Sequence, residues 1–160
     1  MIMRYISMVL ILFLLSGCAS KLSENESEKT LDYGMANSKK IEIQNSKTSK
    51  TFVLITYLNP IHHDLVTQES EKFVVGTYKA TGDGAFDRVT LSKFKVNGSD
   101  ENLTVTPLNQ DAPLLKLIST SNAWTNYVLI QAPKTEEIKM EISFENDQSQ
   151  RVSTTFRKDF

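Results

Sequence analysis

From Thr51 to the C-terminus, apolar residues fall into runs of strand length separated by turn chemistry, and no stretch keeps a helical stripe over three turns. Phe52 to Leu58 is almost wholly apolar and stops at Asn59-Pro60, where proline removes a ladder donor; this predicts a strand buried on both faces. Ile61 to Glu71 reads as a polar loop and Phe73 to Tyr78 as the next strand. Thr81-Gly82-Asp83-Gly84 follows as a turn that uses glycine at positive φ. Within Phe86 to Val96, Val89 and Leu91 share one face while Phe94 and Val96 have the opposite parity. A bulge near Ser92-Lys93 is therefore expected. Leu103 to Val105 reads as a short strand, and Leu114 to Ile118 fits either a strand or a single helical turn. Trp124 to Gln131 is a further strand ending before Pro133. Ile138, Met140, Ile142 and Phe144 alternate with Lys139, Glu141 and Ser143, and Val152, Thr154 and Phe156 alternate on the return, which predicts a hairpin with one buried face.

About seven or eight strands with turn signals every dozen residues or so predict an all-β fold, an antiparallel two-layer sandwich of the immunoglobulin-like kind. Phe52, Tyr57, Phe73, Tyr78, Phe94, Trp124, Tyr127 and Phe144 are expected in its core or at its margin, with Trp124 read as packing rather than as a stacking platform. Lys21 to Lys50 is instead dominated by Ser, Glu, Asn and Lys and buries too little to fold alone. Its first part is read as a flexible spacer, and Ile41-Glu42-Ile43 as the start of a short edge strand. The organisation expected is a leader over residues 1–17, a tether over 18–39 and the sandwich over 40–160.

The leader has its own pattern. Met1 to Tyr5 carries one charge, at Arg4, and Ile6 to Leu15 is apolar except for Ser7. A membrane-spanning helix needs roughly 20 apolar residues, and this run ends after about half of that, as the hydrophobic region of a signal peptide does. It stops at Leu15-Ser16-Gly17-Cys18, which resembles the lipobox of bacterial lipoproteins: a branched apolar residue, two small residues, then cysteine. The resemblance implies cleavage between Gly17 and Cys18, a diacylglyceryl group on the Cys18 sulfur and acylation of the freed amino group. The small residues let an extended backbone enter a peptidase cleft, and the thiol is the nucleophile that takes the lipid. At about 0.8 kcal/mol per buried methylene, two or three acyl chains anchor a protein durably. Ala19 and Ser20 follow, not the Asp that retains enterobacterial lipoproteins in the inner membrane, so an outer-membrane address is expected. In size, lipobox and strand spacing the chain is also similar to small outer-membrane lipoproteins with variant immunoglobulin folds from Gram-negative bacteria of the epsilon group.

Composition narrows the rest. The 160 residues carry a formal charge of -1 and offer no basic field for nucleic acid. Cys18 is the only cysteine, so an intramolecular disulfide is impossible and no thiol remains for catalysis once it is acylated. No G-x-S-x-G, Walker, GxGxxG, HExxH or CxxC pattern occurs, which argues against an enzyme, and no cofactor is expected. His62 and His63 stand side by side with Asp64 next. Neighbours in an extended segment point apart, so they are weak candidates for a metal and fit a solvated loop better. Asp83 and Asp87 lack the dense oxygen pattern of a calcium loop. Asp100-Glu101-Asn102-Leu103-Thr104 resembles the extended acceptor of bacterial N-glycosylation, with an acid two before Asn102 and Thr104 two after; Asn97-Gly98-Ser99 has Lys95 in the acidic position.

The expectation is a non-catalytic, lipid-anchored envelope module. It would be held to membrane lipid through Cys18 and bind another envelope protein or a glycan, in adhesion or as an accessory of an envelope complex. The alternative is a periplasmic lipoprotein that binds a small ligand or metal through the Ile61 to Glu71 loop.

Overall fold

A computed structural model describes residues 26–158. Cys18, the cleavage point before it and the start of the expected tether lie outside those residues. The described residues form one helix, α1 (Glu26–Ala36), and nine strands: β1 (Ser38–Ser46), β2 (Ser49–Tyr57), β3 (Ser70–Thr81), β4 (Phe86–Arg88), β5 (Ser92–Val96), β6 (Thr104–Leu108), β7 (Asn126–Pro133), β8 (Lys139–Glu145) and β9 (Arg151–Arg157). All strand pairs are antiparallel. They make the expected all-β sandwich, with a six-stranded sheet, ordered β1-β2-β3-β7-β6 with β4 paired to β3 beside that path, facing a three-stranded sheet ordered β5-β8-β9. β3 is long enough to pair with β7 from Ser70 to Thr77 and with β4 from Tyr78 to Ala80.

Period-two alternation explains the core. Val53, Ile55 and Tyr57 of β2 and Phe73 and Val75 of β3 point inward to meet Met140, Ile142 and Phe144 of β8, and none of these is more than 3% exposed. Each such aliphatic or aromatic side chain contributes roughly 1.5–3 kcal/mol through burial. The opposite parity on β3 and β7 carries Val74 and Tyr127 to the outer face of the large sheet. There a second cluster forms under two 3₁₀ turns, Asn59–Ile61 and Pro113–Leu117, so Leu114 to Ile118 resolves as a helical turn and not a strand. The outer face of β3 also needs Gly76. A Cβ at that position would lie 2.7 Å from Cε1 of the Tyr127 ring and 3.0 Å from Thr125 Cγ2.

Three sequence expectations change. Phe86 to Val96 is two strands, not one, because Val89 to Leu91 carries the chain from the large sheet to the small one. The irregularity nevertheless falls where parity requires it: pairing with β8 shifts between Ser92 and Lys95, Lys93 takes φ 49°, and Phe94 and Val96 are buried. Ile138 precedes β8 and is 52% exposed, so the alternating pattern enters the core only at Met140. Residues 26–39, read from sequence as spacer, hold α1 and the beginning of β1. No apolar stripe announces α1; Leu31, Tyr33 and Met35 are exposed. It docks through small and polar groups. Gly34 sits so close to the Leu117 carbonyl that a Cβ would lie 2.4 Å from its oxygen, and the Asn37 amide and side chain both donate to the Tyr33 carbonyl at the helix end. Asn37 then accepts from the Tyr57 amide, while the Ser38 and Thr56 hydroxyls pair at 2.7 Å. Among the described residues no helix is long and apolar enough to cross a membrane.

Candidate functional site

The loop with the two histidines is pinned rather than free. Asn59 accepts from the Lys72 amide and donates to the Ser70 carbonyl, Gln68 donates back to the Asn59 carbonyl, and Ile61 and Val66 are buried beneath. His62 caps the first 3₁₀ turn in a left-handed conformation, φ 51°, with its side chain exposed. His63 Nδ1 accepts from the Leu65 amide at 3.1 Å. Both rings and Asp64 border a shallow depression of about 420 Å³ against Lys29 and Tyr33 of α1. Among the described residues no three His, Cys, Asp or Glu side chains converge as a metal site would require.

Beside this loop lies a buried ionic latch that the sequence reading missed. Glu71, 1% exposed, receives Lys158 Nζ at 2.5 Å, the Tyr57 hydroxyl at 2.7 Å and the Thr135 amide at 3.1 Å. Lys158 Nζ also donates to the Thr135 carbonyl. Burial alone would raise the Glu71 carboxyl, but donation from Lys158, Tyr57 and the Thr135 amide outweighs it and holds the group below the ordinary carboxylate range. Burial first, and then the neighbouring carboxylate, push the Tyr57 phenol far up, so it remains a donor. A carboxylate so fully satisfied is poorly placed to take a proton from a substrate. It ties the residue after β9 to β3 across the open end of the sandwich. One signal was visible: Glu71 shares parity with Phe73 and Val75, so a charge falls on the buried face.

At the far end of the large sheet's outer face, four aromatic rings form a row. The β2–β3 register sets Phe52 opposite Tyr78, with stacked rings 5.1 Å apart. Phe86 of β4 meets Tyr78 edge-on at 5.9 Å and stacks on Trp124 at 5.3 Å. Lys40 of β1 closes the other end, its ammonium 4.6 Å from the Phe52 ring centre. The loop carrying Trp124 is held by Arg88, which donates to the Ala123 carbonyl at 2.8 Å, and by the Tyr127 hydroxyl, which accepts from the Asn122 amide at 3.1 Å. Trp124 is therefore not core: β7 begins only at Asn126, and the indole stays 45% exposed beside Phe86 at 50%. Phe52 and Tyr78 are half-buried, whereas Tyr57, Phe73, Phe94, Tyr127 and Phe144 are buried as expected.

The turn before β6 holds the remaining candidate. Asn102 is exposed with φ 54°, just after Asp100 and Glu101, which are also exposed. The two acids of the glycine turn are structural or solvated. Asp83 accepts from the Thr81 hydroxyl and the Ala85 amide, which lower its carboxyl, and Asp87 points to solvent from β4. No family model, no curated protein and no solved structure matches this chain.

Proposed function

We propose that the chain is a lipid-anchored, non-catalytic module of the bacterial cell envelope, in the outer membrane, that binds another envelope protein through the Phe52-Tyr78-Phe86-Trp124 row. The lipobox at Leu15 to Cys18 supports the anchor. The observation that carries the binding role is the exposure of Trp124 and Phe86, 45% and 50%, on rings already fixed by stacking. A contiguous exposed apolar surface marks contact sites, and Trp, Tyr and Arg are the side chains that dominate protein interfaces. Fixed rings lose little conformational freedom on binding, so more of the burial energy appears as affinity. The geometry also suits a tether. Asn37 and Ser38, which follow α1, bond Tyr57 and Thr56 of β2, while Phe52 lies roughly 13 Å further along the strand, at about 3.3 Å per residue, leaving the row clear of the end at which α1 joins the sheet. Anchoring would raise the local concentration of partners without new contacts.

The test is site-specific photocrosslinking in intact cells of the source bacterium. A photoreactive residue at Trp124 is expected to capture one dominant envelope protein, and the same probe at Ser153 on β9 is not. Capture should fall at least tenfold when Phe86→Ser accompanies a probe at Ala123. Equal capture from Ser153, or none from Trp124 in a correctly localised protein, would contradict the assignment of the row.

A further inference from the structure

Of three Asn-x-Ser/Thr triplets in the sequence, Asn25-Glu26-Ser27 has Ser23 in the acidic position, and the other two stand close together at Asn97-Gly98-Ser99 and Asn102-Leu103-Thr104, with different side-chain bonding. Asn97 is exposed just after β5, but its side chain is tied down by hydrogen bonds. Its Nδ2 donates to Glu137 at 2.7 Å, its Oδ1 accepts from the Glu141 amide at 2.8 Å, and its own amide donates to the Glu141 carbonyl at 2.8 Å. Glycosyl transfer to asparagine requires the side-chain nitrogen to reach the donor sugar. At Asn97 that nitrogen is committed to the Glu137 carboxylate and the side-chain oxygen to the Glu141 amide of β8.

Asn102 meets the requirement. It lies in a turn where the Leu103 amide donates to the Asp100 carbonyl at 3.3 Å, and its side chain is exposed without a hydrogen bond among the described residues. Thr104, two residues on, is exposed at the start of β6, an edge strand of the large sheet. Asp100, two residues before, is exposed as well, so both flanking groups that a transferase would read are accessible together with the acceptor.

We infer that Asn102 is an N-glycan acceptor and Asn97 is not, although both carry the triplet. The inference rests on the envelope reading above, because such transfer takes place outside the cytoplasm. The co-reactant is an oligosaccharide joined to a lipid through a diphosphate. Asn102 Nδ2 forms a bond to the anomeric carbon; the bond from that carbon to the diphosphate oxygen breaks, its electron pair leaving on the lipid diphosphate; and one amide proton passes to a base of the transferase. The glycan would not obstruct the aromatic row. Thr104 pairs with Gln131 and Trp124 precedes the opposite end of β7, a separation of roughly 20 Å at 3.3 Å per residue.

The experiment incubates the purified, folded full chain with a bacterial oligosaccharyltransferase and its lipid-diphosphate oligosaccharide, followed by intact mass and peptide mapping. One glycan on Asn102 is expected, lost in Asn102→Gln, kept in Asn97→Gln and reduced at least tenfold in Asp100→Ala. No glycan at Asn102 while a control acceptor peptide is modified would overturn the inference, and so would a glycan placed on Asn97. The same map made on protein from glycosylating cells separates the two readings: modification in the tube but not in the cell would support the acceptor site and count against the envelope address.

Discussion

At the scale of single residues, the Glu71–Lys158 pair makes the strongest energetic claim. Lys158→Met leaves a buried carboxylate without its cation, and removing one partner of a buried pair costs about 3–5 kcal/mol. A urea titration should show the midpoint falling accordingly with an unchanged slope. The pH dependence has a definite sign. Glu71 is held below its ordinary value of 4.5 in the folded protein, so the stability it contributes is fully present above that value and is lost as pH falls through the lowered one. Glu71→Gln should remove that part of the acid dependence, leaving a shallower loss of stability below about pH 4 than the wild type shows. Gly76 offers a steric counterpart. Because Tyr127 is only 2% exposed and cannot swing away, Gly76→Ala should cost about 1–3 kcal/mol by overpacking.

Among the secondary-structure elements, the crossing from β4 to β5 shows how far patterning reaches. The parity break between Leu91 and Phe94 was legible as an irregularity near Ser92-Lys93, and Lys93 does adopt φ 49° there. That the chain also changes sheets was not legible, since two short strands in different sheets and one bulged strand give the same order of buried positions. A β-branched residue tolerates this backbone poorly. Lys93→Ile should cost about 1–2 kcal/mol, and Lys93→Gly should be close to neutral, with differential unfolding as the readout. The hairpin of β8 and β9 was readable because one of its faces is wet, which keeps alternation clean. α1 was not, because it docks through Gly34 and hydrogen bonds at its end and not through an apolar stripe. The aromatic row failed to appear for a related reason. The β2–β3–β4 register brings Phe52, Tyr78 and Phe86 together, and the loop before β7, held by Arg88, adds Trp124 from far along the sequence. Reading Trp124 to Gln131 as a strand placed Trp124 in the core or at its margin, whereas β7 begins only at Asn126.

For the whole molecule, the sandwich places three features apart: the chain leading back to Cys18 enters through α1, the aromatic row lies at the other end of β2, and Asn102 opens onto the edge strand β6. On this account Asn102→Gln leaves photocrosslinking from Trp124 unchanged, whereas Cys18→Ala reduces it by releasing the protein from the membrane that presents its partner. The anchor underlies every other part of the proposal, and it is tested most directly by growing cells with a clickable fatty acid and comparing wild type with Cys18→Ala after membrane fractionation. An acylated Cys18 leaves the wild-type protein labelled in the outer-membrane fraction and the variant unlabelled and released from it; equal labelling of the two, or none in either, would rule the anchor out.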